Sequence, residues 1–78
     1  MSRFYVYGRD NCPWCTRAVE LLESKDIEYI YLKLGEDYSK VDLIDKLGYT
    51  ENVTVPQIFV DDIARVGGYT ELLRLLDE

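Results

Sequence analysis

The sequence changes from a strand pattern to a helix pattern between Gly8 and Pro13, and this change constrains the fold most. Residues 4–7 are aromatic or β-branched and end at Gly8, which is typical of a strand. Three polar residues later, apolar side chains recur at helical spacing: Cys15, Ala18, Val19 and Leu22. Pro13 suits the first position of a helix, with Cys12 as its N-cap. The pattern predicts a strand followed by a helix, with Cys12 at the helix mouth and Cys15 on the buried side.

A second strand and a second helix are predicted in the middle of the chain. Residues 27–32 read as a strand, and both faces are apolar enough to place it inside a sheet. The polar residues 35–39 that follow are suited to capping a helix. Apolar side chains then keep roughly helical spacing until Gly48 ends the helix: Val41, Ile44 and Leu47.

The second half of the chain predicts a hairpin. Residues 50–52 are expected to form a loop, and Gln57–Val60 a third strand that Pro56 opens. A tight turn at Asp61 and Asp62 would lead into a fourth strand over residues 63–66.

A last helix is predicted after Gly67 and Gly68, with an apolar side formed by leucines: Leu72, Leu73, Leu75 and Leu76. The order β-α-β-α-β-β-α predicts an α/β fold with three helices and a four-stranded mixed sheet. Its first two strands would be parallel and its last two antiparallel. Because no linker or repeat interrupts the sequence, we expect one domain over residues 1–78.

Charge and composition exclude several classes of function. Nine Lys and Arg against fifteen Asp and Glu give a net charge of −6, which argues against binding nucleic acid or an anionic membrane. The absence of His excludes His-based nucleophilic catalysis and any metal site that needs imidazole. No apolar stretch approaches the ~20 residues of a membrane span. The N-terminus is too short and tyrosine-rich for a signal peptide, so we expect a cytoplasmic protein whose two cysteines carry redox chemistry or metal.

The strongest chemical signal is Cys12-Pro13-Trp14-Cys15. Thiols three residues apart at a helix start are close enough to form a disulfide. The unpaired N–H groups and the partial positive charge of the helix N-terminus favour a thiolate at Cys12, and Arg9 would add to that field. Thiols in such positions have pKa values lowered from ~8.5 to ~3.5–7.5. We therefore expect Cys12 to be the nucleophile and Cys15 the resolving thiol.

Two alternative interpretations apply to this motif. Zinc needs four ligands, so a zinc site would have to be shared between two chains or completed by carboxylates. Inert core cysteines are disfavoured because Cys12 lies outside the buried stripe. Trp14 could be a packing residue, but its place between two cysteines in a polar turn favours a surface role.

Two further motifs are weaker when taken singly. On spacing alone, Pro56 in Thr54-Val55-Pro56 is an ordinary trans proline; a cis bond would turn the Val55 main chain outward, free to pair with an extended peptide. In residues 67–71, two glycines leading into a helix would let a ligand approach, and the free N–H groups would attract a carboxylate. Capping of this helix by Thr70 needs no ligand and is the default interpretation.

Together, the motifs at residues 12–15, 54–61 and 67–70 resemble those of a glutaredoxin, and the resemblance covers nearly the whole chain. The resemblance is strongest to the small dithiol glutaredoxins of bacteria and their phages, some of which supply electrons to ribonucleotide reductase. The resemblance implies a thioredoxin-like fold, a cis Pro56 and a monomer without a permanent cofactor. It also implies thiol exchange with glutathione as co-substrate and with disulfide-containing proteins, and it makes ribonucleotide reductase a candidate among those proteins.

The resemblance also implies roles for individual residues. Cys12 matches the attacking cysteine and Cys15 its partner. Other positions match those that contact glutathione: Arg9, Trp14, Thr54, Val55, Pro56, Gly68, Tyr69 and Thr70. Trp14 stands where Tyr is most usual, and Glu71 where Asp is common. Residues 35–49 match no motif, which leaves Lys40 as a guess for the group that holds the glycyl carboxylate.

Two other functions stay open at this point. A thioredoxin-like donor recharged by thioredoxin reductase would use the same two thiols. A non-enzymatic iron–sulfur carrier would hold a cluster between two copies, although Pro13 argues against it because cluster-carrying relatives usually have a less rigid residue there.

Overall fold

The computed structural model describes residues 3–48 and 54–77, so the loop predicted over residues 50–52 lies outside the described residues. Four strands and three helices follow one another in the predicted order. They are β1 (Phe4–Gly8), α1 (Pro13–Ser24), β2 (Tyr29–Lys33), α2 (Lys40–Leu47), β3 (Gln57–Val60), β4 (Ala64–Gly67) and α3 (Tyr69–Leu76).

The strands form one mixed sheet in the order β2-β1-β3-β4. β1 and β2 are parallel, as expected for strands joined by a helical crossover, and β3 is antiparallel to both β1 and β4. The predicted fold class is confirmed. The predicted position of β2 inside the sheet is wrong, because β2 is an edge strand and all five of its residues are only half-buried.

The sequence predicted the limits of the first two helices well. α1 begins at Pro13 with Cys12 as its N-cap. α2 begins after Ser39, whose hydroxyl accepts a hydrogen bond from the Asp42 N–H at 3.2 Å, and it ends at Gly48 with a left-handed φ of 83°. The apolar side of α2 was predicted less well: Val41 is 64% exposed, and Leu43 is the residue that α2 buries.

Two predictions near the C-terminal helix are wrong in detail. α3 begins at Tyr69 with Gly68 as its N-cap, so Thr70 lies inside the helix and does not cap it. Glu71 has the capping role instead, since its Oε1 accepts a hydrogen bond from the Gly68 N–H at 2.7 Å. Ile63 lies in the turn and is exposed, so the fourth strand begins one residue later than predicted.

The turn between β3 and β4 is fixed to the rest of the fold by side chains. Asp61 and Asp62 both have left-handed φ angles, 54° and 59°, in agreement with the predicted tight turn. The Asp62 carboxylate accepts a hydrogen bond from the Tyr7 hydroxyl at 2.6 Å and pairs with Lys46 Nζ at 3.1 Å. These contacts connect the hairpin turn to β1 and α2.

The core is divided by the sheet into two clusters. On the face covered by α1 and α3, the buried residues are Phe4, Val6, Ala18, Leu22, Ile58 and Leu72. On the face covered by α2 they are Tyr7, Tyr38, Leu43 and Phe59. None of the helices among the described residues is long and apolar enough to span a membrane.

Candidate active site

The two cysteines form a disulfide at the start of α1, with their Cα atoms 5.2 Å apart. The Cys12 sulfur, as N-cap, accepts a hydrogen bond from the Cys15 N–H at 3.2 Å, so a main-chain dipole of the first turn points at it. Cys15 is 1% exposed, as predicted. Cys12 is 7% exposed and is therefore more covered than its place outside the apolar stripe suggested. A reacting sulfur must approach it along a limited set of directions.

A glycine under the disulfide makes this packing possible. A Cβ built on Gly8 would lie 2.9 Å from Cys15 Sγ and 2.9 Å from Cε1 of Tyr31. The Gly8 carbonyl accepts a hydrogen bond from the buried Tyr38 hydroxyl at 2.8 Å, and burial raises the pKa of Tyr38 to about 12. From the sequence, Gly8 could be predicted only as the end of a strand. Its need for a small residue could not be predicted, because Cys15 and Tyr31 are brought against it by other elements.

The proline loop faces the disulfide from β3. The Val55–Pro56 peptide bond is cis, as the resemblance implied, and the Val55 carbonyl oxygen lies 4.0 Å from Cys12 Sγ. Since a disulfide sulfur has no proton to donate, this distance is a van der Waals contact rather than a hydrogen bond. The Val55 main chain therefore borders the Cys12 sulfur.

Gln57, for which the sequence predicted only a place in a strand, holds this loop from below. Its side chain is 3% exposed, and its Nε2 donates a hydrogen bond to the Thr54 carbonyl at 2.9 Å. Its Oε1 accepts from Arg65 Nε at 3.3 Å. A polar side chain directly after a proline in a strand that begins at the site is the signal that could have identified it.

An aromatic wall stands beside the disulfide. Trp14 is 51% exposed, as its predicted surface role requires, and its ring packs against Tyr69 with centroids 5.6 Å apart. The guanidinium of Arg17 lies 4.7 Å from the Trp14 ring centroid and so stacks on the indole. The indole is thus held in place between α1 and α3.

A groove of about 350 Å³ runs from this wall to the start of α3. Seven of the eight residues predicted to contact glutathione line it: Trp14, Thr54, Val55, Pro56, Gly68, Tyr69 and Thr70. Glu71 lines it as well, with its carboxylate engaged by the Gly68 N–H. The three motifs that are far apart in the sequence therefore share one groove.

Arg9, the eighth predicted residue, lies outside this groove. Together with Lys40, Thr54 and Val55 it lines a neighbouring cleft of about 450 Å³. Its guanidinium donates to the Asp10 carbonyl at 3.1 Å. The two clefts share Thr54 and Val55, so Arg9 and Lys40 place positive charge at the end of the groove away from α3.

Within residues 3–48 and 54–77, no group of three or more Cys, Asp or Glu side chains is arranged to hold a metal ion.

Two thiols at the start of a helix, facing a cis-proline loop on a four-stranded mixed sheet, define a thiol–disulfide oxidoreductase of the thioredoxin fold.

Comparison with known proteins gives the family. The glutaredoxin family model matches residues 5–63. Glutaredoxin 1 of Escherichia coli K12 is 39% identical over 94% of this chain and 91% of its own length. The chain belongs to the glutaredoxin family.

Solved structures agree in fold. Reduced E. coli glutaredoxin superposes with a TM-score of 0.79 at 37% identity, covering 96% of this chain and 93% of that one. A buckwheat glutaredoxin–glutathione complex gives a TM-score of 0.75 at 23% identity, covering 97% of this chain and 69% of that one. The second comparison shows the shared fold.

Proposed function

We propose that this protein is a glutathione-dependent dithiol glutaredoxin, which reduces glutathione mixed disulfides and protein disulfides. The observation that carries the proposal is the groove beside Cys12, where residues from three separate motifs surround a space of about 350 Å³. The groove is of a size for a tripeptide and extends from Val55, whose carbonyl oxygen lies 4.0 Å from Cys12 Sγ, to the start of α3. A glutaredoxin from buckwheat, of the same fold, is known in complex with glutathione, which supports the choice of ligand.

Glutathione would lie along the groove with its sulfur at Cys12. Its cysteinyl main chain would pair with the N–H and C=O of Val55, as an added strand does. Its γ-glutamyl carboxylate would meet the N–H groups at the start of α3, at Tyr69 and Thr70. Its glycyl carboxylate would point into the cleft where Arg9 and Lys40 supply positive charge.

In the first route, the Cys12 thiolate attacks the glutathione sulfur of a mixed disulfide. A Cys12–glutathione disulfide forms and the other thiolate leaves. A second glutathione thiolate then attacks this disulfide, which releases oxidised glutathione and restores the Cys12 thiolate. The helix dipole at Cys12 favours both steps, because it stabilises the thiolate as nucleophile and as leaving group.

In the second route, Cys12 attacks a protein disulfide and releases one of its two thiolates. Cys15 then attacks Cys12 Sγ, which releases the second protein thiolate and leaves the Cys12–Cys15 disulfide seen in the structure. Two electrons pass to the substrate, and two glutathione molecules return them to the protein. Cys15 suits this step because it is buried directly behind Cys12 and is shielded from other disulfides.

A coupled assay with cysteine–glutathione mixed disulfide, glutathione, glutathione reductase and NADPH tests the proposal. We expect Cys15→Ser to keep this activity and to lose reduction of protein disulfides, whereas Cys12→Ser loses both. A parallel reaction with thioredoxin reductase in place of glutathione and its reductase should oxidise little NADPH. Full activity of Cys12→Ser, or faster turnover with thioredoxin reductase, would contradict the proposal.

We further propose that residues 1–78 act as one domain and as a monomer in the cytoplasm, where glutathione keeps thiols reduced. Ribonucleotide reductase is a proposed protein substrate, supported only by likeness to glutaredoxins that serve it. Sedimentation of the oxidised and reduced protein tests the monomer. Deoxynucleotide formation by ribonucleotide reductase, with this protein and glutathione as the sole reductant, tests the partner.

A further inference from the structure

A third cleft, which shares no lining residue with the groove, opens beside Cys12. Its volume is about 730 Å³, and it lies between the start of α1 and the edge strand β2. Its walls include Cys12, Thr16 and Val19 from the helix side, and Tyr29 and Tyr31 from the strand. Cys12 therefore lines a cleft that the proposed binding of glutathione, along the groove and into the cleft with Arg9 and Lys40, leaves unused.

The strand that borders this cleft has a free edge. In the parallel ladder the Phe4 N–H donates to the Glu28 carbonyl and the Leu34 N–H to the Gly8 carbonyl, so even-numbered residues of the β2 segment face β1. The main-chain groups of Tyr29 and Tyr31 consequently point away from the sheet. Within residues 3–48 and 54–77 no acceptor takes a hydrogen bond from either N–H.

The free edge is short because its two ends are closed. At the C-terminal end, the Lys33 N–H donates to the Asp37 carboxylate at 2.9 Å, and the Lys33 carbonyl accepts from the Asp37 N–H at 2.8 Å. At the N-terminal end, the Ile27 N–H donates to the Leu22 carbonyl at 3.0 Å. Proteins commonly close edge strands in this way to prevent pairing with other chains. The segment from Tyr29 to Tyr31 stays open only where it meets the cleft that contains Cys12.

We propose that this cleft holds an extended polypeptide segment of a disulfide-containing substrate protein, which adds to β2 by main-chain hydrogen bonds to Tyr29 and Tyr31. A thiol–disulfide oxidoreductase must bring a cysteine of its partner against Cys12, and the partner chain has to continue past that sulfur. The cleft is continuous with Cys12 and offers unpaired main-chain groups, which recognise an extended chain whatever its sequence. The inference rests on disulfide exchange at Cys12 and does not depend on glutathione as the electron source.

Amide hydrogen exchange on a trapped complex tests this inference. Cys15→Ser protein is linked through Cys12 to a threonine- and valine-rich peptide with a central cysteine. The peptide has about ten residues, which is the upper length of ordinary strands. Activation of the peptide as a thiopyridyl disulfide makes the link chemically, so it forms even if the protein does not use glutathione. The same protein linked to glutathione, and to a peptide with proline at alternate positions, provides matched controls.

We expect the Tyr29 and Tyr31 amides to exchange about tenfold or more slowly in the peptide-linked protein, because a new hydrogen bond must open before exchange. The glutathione-linked and proline-peptide-linked proteins should exchange as the free protein does. Val19→Lys, which fills the cleft with a charged side chain, should remove the protection, whereas Ser24→Lys adds the same charge outside the cleft and should keep it.

Unprotected Tyr29 and Tyr31 amides in the peptide-linked protein would overturn the inference. Equal protection in the glutathione-linked protein would overturn it as well, because the effect would then not require a polypeptide. If Val19→Lys does not fold, the proline-containing peptide still distinguishes strand addition from simple crowding at Cys12.

Discussion

Replacing Gly8 with alanine tests how closely the sheet packs under the disulfide. The added Cβ would lie 2.9 Å from Cys15 Sγ and 2.9 Å from Tyr31 Cε1, whereas ordinary contacts of a Cβ begin at 3.4 Å. The Tyr31 hydroxyl would come nearer still, so Cys15 Sγ and Tyr31 Cε1 must each move by at least 3.4 − 2.9 = 0.5 Å. Neither is free to do so, since Cys15 is held in the disulfide and the Tyr31 hydroxyl donates to the Arg9 carbonyl at 3.0 Å.

The expected cost follows from this geometry. Overpacking of a buried position costs about 1–3 kcal/mol, and each kcal/mol lowers the Tm of a domain of this size by about 4–8 °C. Gly8→Ala should therefore lower the Tm of the oxidised protein by about 4–24 °C. The reduced protein should lose less, because a free Cys15 thiol can turn away from the new methyl group.

Thermal unfolding of oxidised and reduced protein, followed by circular dichroism, measures both effects. The double variant Gly8→Ala/Tyr31→Phe removes the hydroxyl that meets the new Cβ and should recover part of the decrease in Tm. The decrease that remains is the part due to Cys15. An oxidised Gly8→Ala protein that melts within about 2 °C of the wild type would refute the reasoning. So would an equal loss in the two redox states.

The remaining predictions concern the second helix and the buried tyrosine. Ser39→Ala should lower the free energy of unfolding by about 1 kcal/mol, measured by urea denaturation, with the exposed Ser24→Ala as control. The Ser39 N–H, which donates to the Asp42 carboxylate at 2.9 Å, is the main cause that lowers the pKa of Asp42, and Ser39→Ala keeps this donor. The contribution of the Asp42 carboxylate is present above the ordinary carboxylate pKa and is lost as pH falls below it, so the difference in stability between wild type and Asp42→Asn should shrink below about pH 4. Tyr38→Phe should cost about 1 kcal/mol because the Gly8 carbonyl loses its hydroxyl donor. Burial raises the pKa of Tyr38 to about 12, whereas the unfolded chain has a tyrosine pKa of about 10. The stabilising effect of the neutral Tyr38 hydroxyl is therefore complete below pH 10 and is lost between about pH 10 and 12. Between pH 8 and 11, urea titrations should show that Tyr38→Phe loses less stability than the wild type.

Most secondary structure could be predicted because its signals are local. Pro13 and Cys12 set the start of α1, and Ser39 and Gly48 set the limits of α2. The start of α3 was misplaced because two candidate caps compete there. Glu71 reaches back to the Gly68 N–H, and this local contact starts the helix one residue before Thr70.

The position of β2 could not be read from its own residues. Its apolar character suggested a central strand, yet its aromatic side chains are only half-buried at the edge of the sheet. A strand can be apolar because one of its faces packs on a helix, and sequence alone does not separate that case from a central position.

The sequence alone determined three features: the order of the elements, the start of a helix directly after Cys12 and the spacing of the three motifs. Each of these features depends on neighbours a few residues apart. Only the tertiary structure decided that Gly8 would lie against Cys15 and Tyr31, that Gln57 would hold the Thr54 carbonyl, and that Cys12 would line a cleft beside β2. These features join residues that are distant in the chain, and their contacts exist only after the sheet and helices have packed.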